Sequence, residues 1–325
     1  MQNKLLYEST HVWDQSLQLG QKNLTQAIID FFPKEINSAL DIGCGDGKLT
    51  STLIEVTKCP FVGLDTSQEA LSRCSFHTIQ ADATDLPFQE NAFDLVLTTD
   101  MLEHLPRDME DKVWEQLFRV SNKWVMVAVP FREELLEATA KCHECGTPYH
   151  VNWHMRSYDW PELISRCPDS YVVDKIVLTG EPWSAHPILE TRFRREIMNE
   201  WGGWTEAVCP HCNKPGTSPD PLKPLPSIVA TSLGELIYTE RLNIPEFRNH
   251  SEILIIYRNK ELAAENTVEF NSINRIRVKA NTIDFEHASI EDNLIPYPSL
   301  TRVVNSIEHG IIIQFPAYFA NDIWR

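Results

Sequence analysis

Three glycines at alternate positions, Gly43, Gly45 and Gly47, follow directly on a short apolar run. Because they have no Cβ atom, they allow a tight turn from a strand into a helix and let a ligand approach bare backbone. Dinucleotide-binding turns have the spacing G-x-G-x-x-G and hold a pyrophosphate at a helix N-terminus, where nearby carboxylates are unfavourable. Here the spacing is G-x-G-x-G, and Asp41 and Asp46 lie beside the glycines. The turn therefore favours a ligand that carries positive charge.

S-adenosylmethionine is such a ligand, because it has no phosphate and carries a sulfonium and an ammonium group. Asp65 closes the next apolar run, where a carboxylate can accept hydrogen bonds from both hydroxyls of an adenosine ribose. A dehydrogenase would use this carboxylate in the same way, so Asp65 by itself indicates adenosine. Asp82 follows the third apolar run and is placed to accept from the adenine amine. We interpret Cys44 as a small packing residue of the turn, since nothing marks it as an activated nucleophile.

Two C-x-x-C pairs, Cys142 with Cys145 and Cys209 with Cys212, match the ligands of a tetrahedral structural zinc site. The first pair follows the apolar run over 123–129 and the second follows the apolar run over 171–178, which are the fifth and sixth predicted strands. Both pairs should therefore lie at the carboxyl edge of the sheet. We therefore expect a zinc ion that joins two loops as a lid over the substrate. The alternatives are ordinary reduced cysteines in loops and, less favoured, a redox pair, since neither pair opens a thioredoxin-like helix.

Histidines that could take a proton lie between the two cysteine pairs. Methylation of a hydroxyl needs a base near the attacking oxygen, and the pKa of histidine suits that task at neutral pH. His150 and His154 are the first candidates, and His104, just past the fourth strand, is the third. For either His150 or His154, a role as a zinc ligand or as a hydrogen-bonded structural residue stays equally open.

Aromatic and basic residues surround these histidines. We expect Tyr149, Trp153 and Tyr158 to stack on a sugar or another ring of the substrate, and Arg156 to bind a carboxylate or phosphate. In the N-terminal segment, Tyr7 and Trp13 are candidates to close over the cofactor, although an amphipathic helix that packs on the sheet would explain them equally well.

Short apolar runs alternate with amphipathic stretches between residues 38 and 130, which is the pattern of repeated βαβ units. The predicted strands are 38–42, 61–65, 77–81, 93–99, 123–129, 171–178 and 252–258, and the predicted helices are 48–56, 67–72 and 108–120, with Asp108 as the N-cap of the last. A further helix is expected over 189–200. Such alternation predicts a parallel sheet with helices on both faces and a ligand crevice at the carboxyl ends of the strands.

The motifs D-I-G-C-G-D-G, G-L-D-T-S, A-D-A-T-D-L-P-F and F-D-L-V-L-T-T-D-M-L-E-H-L occur in this order over residues 38–130. This region resembles the class I, seven-strand S-adenosylmethionine-dependent methyltransferases. The resemblance implies a three-layer, Rossmann-like α/β fold with sheet order 3-2-1-4-5-7-6, and strand seven antiparallel. It also implies the cofactor-binding residues, which are Asp41, Gly43, Cys44, Gly45, Asp65, Thr66, Asp82, Ala83 and Thr99.

A second resemblance rests on C-x-x-C-G, Y-H and a second histidine before an arginine, within residues 142–158. This block is similar to methyltransferases of surface-polysaccharide and secondary-metabolite pathways. It implies O-methylation of a sugar or glycan precursor, with contact to glycan-assembly enzymes as a further expectation. Methylation of nitrogen or carbon on a small metabolite is the alternative enzyme, and a zinc-clamped interaction module that binds cofactor without turnover is the non-enzyme alternative.

The composition limits the partners and the domains. With 29 Lys and Arg against 46 Asp and Glu, the net charge of −17 repels nucleic acids and anionic lipid. We find no secretory signal and no apolar run of about 20 residues, so we expect a cytoplasmic protein without membrane insertion. The 325 residues divide into an N-terminal helical cap (1–35), a methyltransferase domain (36–260) with zinc-binding and substrate insertions at 140–165 and 181–250, and a β-rich extension of unknown role (261–325).

Overall fold

The computed structural model describes residues 7–8, 13–14, 16–184, 191–192, 195, 201, 204–205, 207–216, 248–264, 275–279, 282–286, 302–307 and 310–314. The helices are α1 (Leu19–Asp30), α2 (Lys48–Thr57), α3 (Gln68–Leu71), α4 (Arg107–Val120) and α5 (Trp160–Ser165). The strands are β1 (Ala39–Ile42), β2 (Phe61–Asp65), β3 (Thr78–Gln80), β4 (Phe93–Thr99), β5 (Ser121–Pro130), β6 (Thr139–Lys141), β7 (Pro148–His150), β8 (Tyr171–Ser184), β9 (Arg248–Asn259), β10 (Arg275–Lys279), β11 (Thr282–Glu286), β12 (Arg302–Ile307) and β13 (Gly310–Gln314). Short 3₁₀ helices span Leu102–His104 and Lys260–Ala264.

One large mixed sheet organises the described chain, with strand order β13-β12-β8-β9-β5-β4-β1-β2-β3. The strands β1 to β5 run parallel to one another, whereas β9 is antiparallel to both β5 and β8. With β8 as strand six and β9 as strand seven, the seven predicted strands have the expected positions relative to one another within the sheet. The order predicted for the sheet as a whole is nevertheless wrong, because strand six is not its edge.

Two strands of the C-terminal region extend the sheet beyond β8. β12 pairs antiparallel with β8, so that Val303 lies opposite Val177, and β13 pairs with β12. The physical reason for the difference is that the backbone groups on the outer edge of β8 find partners in the tail instead of being left open. β10 and β11 form a separate hairpin. β10 to β13 all lie within residues 261–325.

β1 and the central parts of β4 and β5 are buried on both faces, which explains their runs of apolar residues. Side chains alternate across β4, so Val96 lies in the cluster under α4 while Leu95 and Leu97 lie in the cluster under α1 and α2. The same alternation separates Val125 from Met126 in β5. Helices on both faces are the three-layer arrangement that the sequence predicts.

The start of α4 differs from the prediction. Pro106, not Asp108, is the N-cap, and its carbonyl accepts hydrogen bonds from Met109 N and Glu110 N. Asp108 lies in the first turn, where its charge favours the positive end of the helix dipole. The helix predicted over 189–200 lies almost entirely outside the described residues. Among the described helices, none is long and apolar enough to cross a membrane.

Candidate active site

The glycine turn after β1 needs glycine for two reasons. Gly43 and Gly45 have φ angles of +77° and +54°, a region that other residues rarely adopt. A Cβ atom on Gly43 would stand 2.6 Å from the side chain of Met101, and one on Gly45 would stand 2.9 Å from the ring of Trp13. Gly43 N also donates to Leu64 O of β2 at 2.7 Å. The turn is thus fixed to the sheet and closely covered.

Asp65 joins the end of β2 to the glycine turn. Its Oδ2 accepts a hydrogen bond from Gly45 N at 3.0 Å, and its Oδ1 accepts one from Ser67 N at 2.9 Å. Burial raises the pKa of Asp65, although the backbone N–H groups oppose the shift. Each carboxylate oxygen has a second lone pair, so the group can still accept from a ribose.

Asp41 is buried at the end of β1. Thr50 Oγ1 of α2 donates a hydrogen bond to Asp41 Oδ2, while Oδ1 has no partner among the described residues. Burial raises the pKa of Asp41 to about 7, and the Thr50 hydrogen bond offsets only part of that shift. An unpaired, buried carboxylate oxygen beside the turn fits a cationic ligand.

The other predicted cofactor residues lie along the same edge of the sheet. Asp82 Oδ1 accepts hydrogen bonds from Thr84 N at 2.9 Å and from Thr84 Oγ1 at 2.8 Å. Ala83 packs against the core, Thr66 O accepts from Gln80 Nε2 at 2.9 Å, and Thr99 ends β4. The structure therefore brings the residues expected near ribose and adenine to the ends of β2, β3 and β4.

Cys44 faces the protein interior. A Cβ atom on Gly63 would stand 2.7 Å from Cys44 Sγ, so the thiol fills the space that this glycine leaves. A hydrogen bond with Cys74 and burial hold the pKa of Cys44 well above its usual range. Cys44 is therefore a neutral packing residue of the turn, without the activation that a nucleophile needs.

Tyr7 and Trp13 connect the glycine turn to the histidines. Trp13 Nε1 donates to Tyr7 O at 2.8 Å, and Ser67 Oγ donates to the same carbonyl at 2.6 Å. The ring of Tyr7 lies 6.1 Å from that of His104 and 6.2 Å from that of Trp153. Because Trp13 covers Gly45, the two aromatic rings cover the edge between the turn and the histidines.

The three candidate histidines converge, although they come from two separate segments. The ring centroids of His104 and His154 are 4.9 Å apart, and those of His150 and His154 are stacked at 4.7 Å. His104 ends the 3₁₀ helix after β4, and Met155 N donates to Glu103 O at 2.8 Å, which ties the loop of His154 to that helix.

Glu133 holds two of the histidines. Its Oε2 lies 2.5 Å from His154 Nδ1, and its Oε1 lies 3.2 Å from His150 Nε2. Burial would raise the pKa of Glu133, but the hydrogen bonds from His150 and His154 prevail and lower it to about 2. In contrast, burial lowers the pKa of His104 to about 3, so this imidazole is neutral. Glu133 is thus an ionised partner within the cluster.

The sequence analysis missed the buried carboxylates of this site. Glu103 and Glu133 lie in the segments after β4 and β5, Asp100 follows β4 directly, and Glu252 lies in β9 opposite Pro130. Burial raises the pKa of Asp100 to about 6 and that of Glu252 well above its usual range. For Asp100, Glu103 and Glu133, the position just past the carboxyl ends of parallel strands is the signal that could have identified them.

Arg156 and the aromatic residues near the histidines, which we expected to contact the substrate, contact other groups of the protein instead. Tyr158 Oη donates to Glu110 Oε1 in the core, and Arg156 forms an ion pair with the same carboxylate and donates to Leu105 O. Tyr149 is buried against the cysteines, and Trp153 Nε1 donates to Val208 O at 2.8 Å. These side chains are occupied by structural partners, so they are not free to hold a substrate.

The four cysteines of the C-x-x-C pairs meet, despite their separation in the sequence. Cys142 Sγ lies 3.5 Å from Cys212 Sγ, and Cys145 Sγ lies 3.7 Å from Cys209 Sγ. All four sulfur atoms lie within 4.8 Å of one another. Sulfur ligands on one zinc ion at about 2.3 Å would be separated by roughly 3.8 Å, so the cluster has the size of a tetrahedral site.

The two cysteine turns also have the same backbone geometry. In the first, Cys142 N donates to Thr147 O and Gly146 N donates to Cys142 O, both at 2.9 Å. In the second, Cys209 N donates to Lys214 O and Asn213 N donates to Cys209 O, again at 2.9 Å. Gly146 and Asn213 both have positive φ angles, of 73° and 57°. Two matched turns that aim their thiols at one point are typical of a zinc knuckle pair.

The parallel strands with helices on both faces define the fold as Rossmann-like α/β, and the glycine turn and Asp65 lie at the carboxyl ends of its strands. Residues 40–124 match the family model described as a methyltransferase domain. This segment is therefore similar to a methyltransferase domain, and it includes most of β1, the whole of β2, β3, β4 and α4, and all nine predicted donor-binding residues.

Curated relatives match about a quarter of the chain. The sterol 24-C-methyltransferase of Schizosaccharomyces pombe is 30% identical over a stretch that covers 27% of this chain and 28% of that protein. The human mitochondrial arginine-hydroxylase is 37% identical over 24% of this chain and 25% of that protein. The chain thus spans about a quarter of the length of the curated relatives it matches.

Solved structures with a similar fold include two described as S-adenosylmethionine-dependent methyltransferases. The one from Archaeoglobus fulgidus is 14% identical, with 74% of this chain and 94% of that chain covered and a TM-score of 0.41. The one from Methanosarcina mazei is 15% identical, with 71% and 96% covered and a TM-score of 0.40. At these TM-scores the likeness carries no argument about acceptor or mechanism.

Proposed function

We propose that the protein transfers the methyl group of S-adenosylmethionine to an acceptor hydroxyl bound beside the histidines. One observation carries the proposal: Tyr7 lies against His104 while the adjoining Trp13 covers Gly45, so the donor turn and the histidines share one covered edge of the sheet. Asp41, Gly43 and Gly45 would hold the methionine part of the donor, Asp65 and Thr66 the ribose, and Asp82, Ala83 and Thr99 the surroundings of adenine.

Among the three histidines, His154 is best suited to accept the proton of the hydroxyl. His150 is less suited, because its Nδ1 accepts from Asn152 N at 3.3 Å and from His154 N at 3.2 Å, and its Nε2 lies 3.2 Å from Glu133 Oε1. Burial keeps His104 neutral at low pH. His154 has Nδ1 fixed by Glu133, which leaves Nε2 for the acceptor and gives the orienting carboxylate that a histidine base requires.

The proposed reaction is a single in-line displacement. The acceptor O–H gives its proton to His154 Nε2, an oxygen lone pair forms the bond to the methyl carbon, and the electron pair of the breaking C–S bond goes to sulfur. S-adenosylhomocysteine and the methyl ether are the products, and the proton on His154 passes to solvent. The chain contributes by holding donor and acceptor in line and by keeping His154 in the correct tautomer.

For the acceptor we propose a sugar hydroxyl on a glycan precursor, on the basis of the resemblance over residues 142–158. The second candidate is an amine, because the buried carboxylates of Asp100, Glu103 and Glu252 would attract an ammonium group. The likeness to a sterol 24-C-methyltransferase covers only 27% of this chain, so it does not favour a carbon acceptor.

We further propose that Cys142, Cys145, Cys209 and Cys212 bind one structural zinc ion. The matched turns and the sulfur spacing support it. Trp153 links this module to the site, since its indole donates to Val208 O and its ring lies beside Tyr7. The zinc would fix the loop that carries His150 and His154.

Product analysis tests the proposed reaction. The purified 325-residue chain is incubated with S-adenosylmethionine labelled in its methyl group and with fractionated glycan precursors, and separately with amine metabolites. We expect label in an oxygen-linked methyl group of the glycan fraction, and none with the His154→Ala variant. Label on a nitrogen atom would show that the acceptor is an amine and not a hydroxyl. Donor binding without labelled product from any fraction would favour the interaction-module alternative.

A further inference from the structure

Glu103 is a buried carboxylate without a partner. Its side chain is 0% exposed, and neither Oε1 nor Oε2 has a hydrogen-bond partner among the described residues. An ionised carboxylate in such a place is costly unless a cation neutralises it. The nearby Arg156 is engaged by Glu110 and by Leu105 O. The other buried carboxylates differ, because Glu133 is held by two histidines, and Asp100 and Glu252 hydrogen-bond to each other.

Two imidazole nitrogens face this carboxylate at the spacing of ligands on one ion. Glu103 Oε1 lies 3.7 Å from His104 Nε2 and 3.9 Å from His154 Nε2. Nitrogen and oxygen ligands bind divalent transition metals at about 2.0 to 2.2 Å, so ligand atoms on one ion are roughly 3 to 3.5 Å apart. The two distances from Glu103 Oε1 are within a few tenths of an ångström of that separation, and the three ligand atoms all lie within 4.8 Å of one another.

The residues behind His154 have the arrangement that supports metal ligands. A metal-bound histidine almost always donates its other ring N–H to a carboxylate, which fixes the tautomer and increases the basicity of the ligating nitrogen. His154 has this contact, since Nδ1 lies 2.5 Å from Glu133 Oε2. His150 in turn lies 3.2 Å from Glu133 Oε1 and fixes that carboxylate. His154 Nε2 is therefore oriented toward Glu103 and His104.

We infer that Glu103, His104 and His154 bind a divalent transition-metal ion, separate from the four-cysteine zinc site. Two imidazoles with one carboxylate leave coordination positions open and suit Fe²⁺, Mn²⁺ or Co²⁺, whereas four thiolates form a closed shell that suits zinc. The open positions would be available to a substrate oxygen.

The role of this ion rests on the proposed function. An acceptor hydroxyl bound to the ion would lose its proton more easily, because a bound cation stabilises the alkoxide beside the methyl donor. In the ion-loaded protein His154 would be a ligand, so activation of the acceptor would come from the ion instead of from a histidine base. Binding of the ion itself depends only on the three side chains and can be measured without donor or acceptor.

Mn²⁺ titration followed by electron paramagnetic resonance tests the site, because Mn²⁺ is a hard ion that disfavours thiolates. The 325-residue parent chain with its cysteine site loaded with zinc is compared with Glu103→Gln, His154→Gln and Glu133→Gln. The matched controls are Glu115→Gln and His77→Gln, two exposed residues of the same types. Circular dichroism verifies that each variant is folded.

We expect one Mn²⁺ per chain in the parent protein and in both controls. Binding should be lost in Glu103→Gln and His154→Gln, and should weaken about 10- to 100-fold in Glu133→Gln. Equal Mn²⁺ affinity in the parent and in folded Glu103→Gln would overturn the inference, as would no binding by the parent. Failure of methyl transfer with Mn²⁺ binding intact would count against the proposed function alone.

Discussion

Glu133 Oε2 lies 2.5 Å from His154 Nδ1, which makes a carboxylate from the segment after β5 the orienting partner of a histidine from the loop after β7. Sequence reasoning identified the histidine but not the carboxylate. The contact decides which of the candidate histidines can act, because it leaves His154 Nε2 directed at the site while Glu133 and backbone groups occupy His150.

We predict that His154→Ala loses more methyl-transfer activity than His150→Ala. Removal of a general base typically costs about 10²- to 10⁴-fold in rate, and His154 has the ring nitrogen that is left for the acceptor. The measurement is the initial rate of labelled product with donor at saturation. His77→Gln, an exposed histidine change, should leave the rate unchanged. A larger loss in His150→Ala than in His154→Ala would refute the assignment.

We predict that Gly45→Ala weakens S-adenosylmethionine binding. The new methyl group would stand 2.9 Å from the Trp13 ring, and the φ angle of +54° adds about 1 kcal/mol of backbone strain. We expect at least a tenfold increase in Kd by calorimetry. Gly146→Ala is the matched control, because Gly146 has a φ of +73° with nothing within 4 Å of the added atom. Equal weakening of donor binding in both variants would contradict the prediction, because the cause would then be backbone strain and not the contact with Trp13.

The raised pKa of Asp41 predicts a pH dependence of stability. Burial raises it from 3.8 to about 7, so between these values the folded state binds more protons than the unfolded state. The contribution of Asp41 is therefore fully present below about pH 4 and is lost as pH rises through about 7, at up to roughly 1.4 kcal/mol per pH unit.

Comparison with Asp41→Asn isolates this contribution, because the amide oxygen can still accept the Thr50 hydrogen bond but does not titrate. Without donor, the parent should lose stability relative to Asp41→Asn between pH 4 and 7 in urea unfolding. Added S-adenosylmethionine should reduce the loss, since its positive charge favours the ionised carboxylate. Parallel stability curves for the two proteins over this range would show that Asp41 ionises normally.

We predict that the purified protein holds about one equivalent of zinc through its cysteine cluster. Cys142→Ser/Cys209→Ser should lose the metal, because each turn is left with one thiolate, and should show a lower thermal unfolding temperature. Cys167→Ser, whose Sγ lies near Pro168 O and outside the cluster, is the control. Metal analysis by mass spectrometry gives the stoichiometry. Protein purified without chelator that contains no zinc would retire the zinc proposal.

The sequence predicts the sheet well where burial determines the residue types. β2 matches the predicted run at both ends, because its largely buried apolar residues are followed directly by the polar Asp65 at the edge of the sheet. The meeting of Cys142 with Cys212 was likewise predictable, since both follow strands whose ends lie at the same edge. The start of α4 was not, because Pro106 and Asp108 are both acceptable at a helix N-terminus and only the hydrogen bonds decide between them.

The site was predicted less completely than the sheet. Tyr158 and Arg156 have the residue types of a substrate contact, yet both face Glu110 from α4, a partner more than forty positions away. Glu103 and Glu133 resemble ordinary surface residues in the sequence, since nothing local shows that they are buried. The extension of the sheet by β12 and β13 is also a long-range pairing, which the pattern of either strand alone does not specify.

Titration calorimetry with S-adenosylmethionine and, separately, with NAD tests the central claim most directly. The account predicts that about one equivalent of S-adenosylmethionine binds, that Asp65→Asn loses this binding because the Gly45 and Ser67 contacts and the ribose share that carboxylate, and that NAD does not bind. Binding of NAD with no binding of S-adenosylmethionine would contradict it.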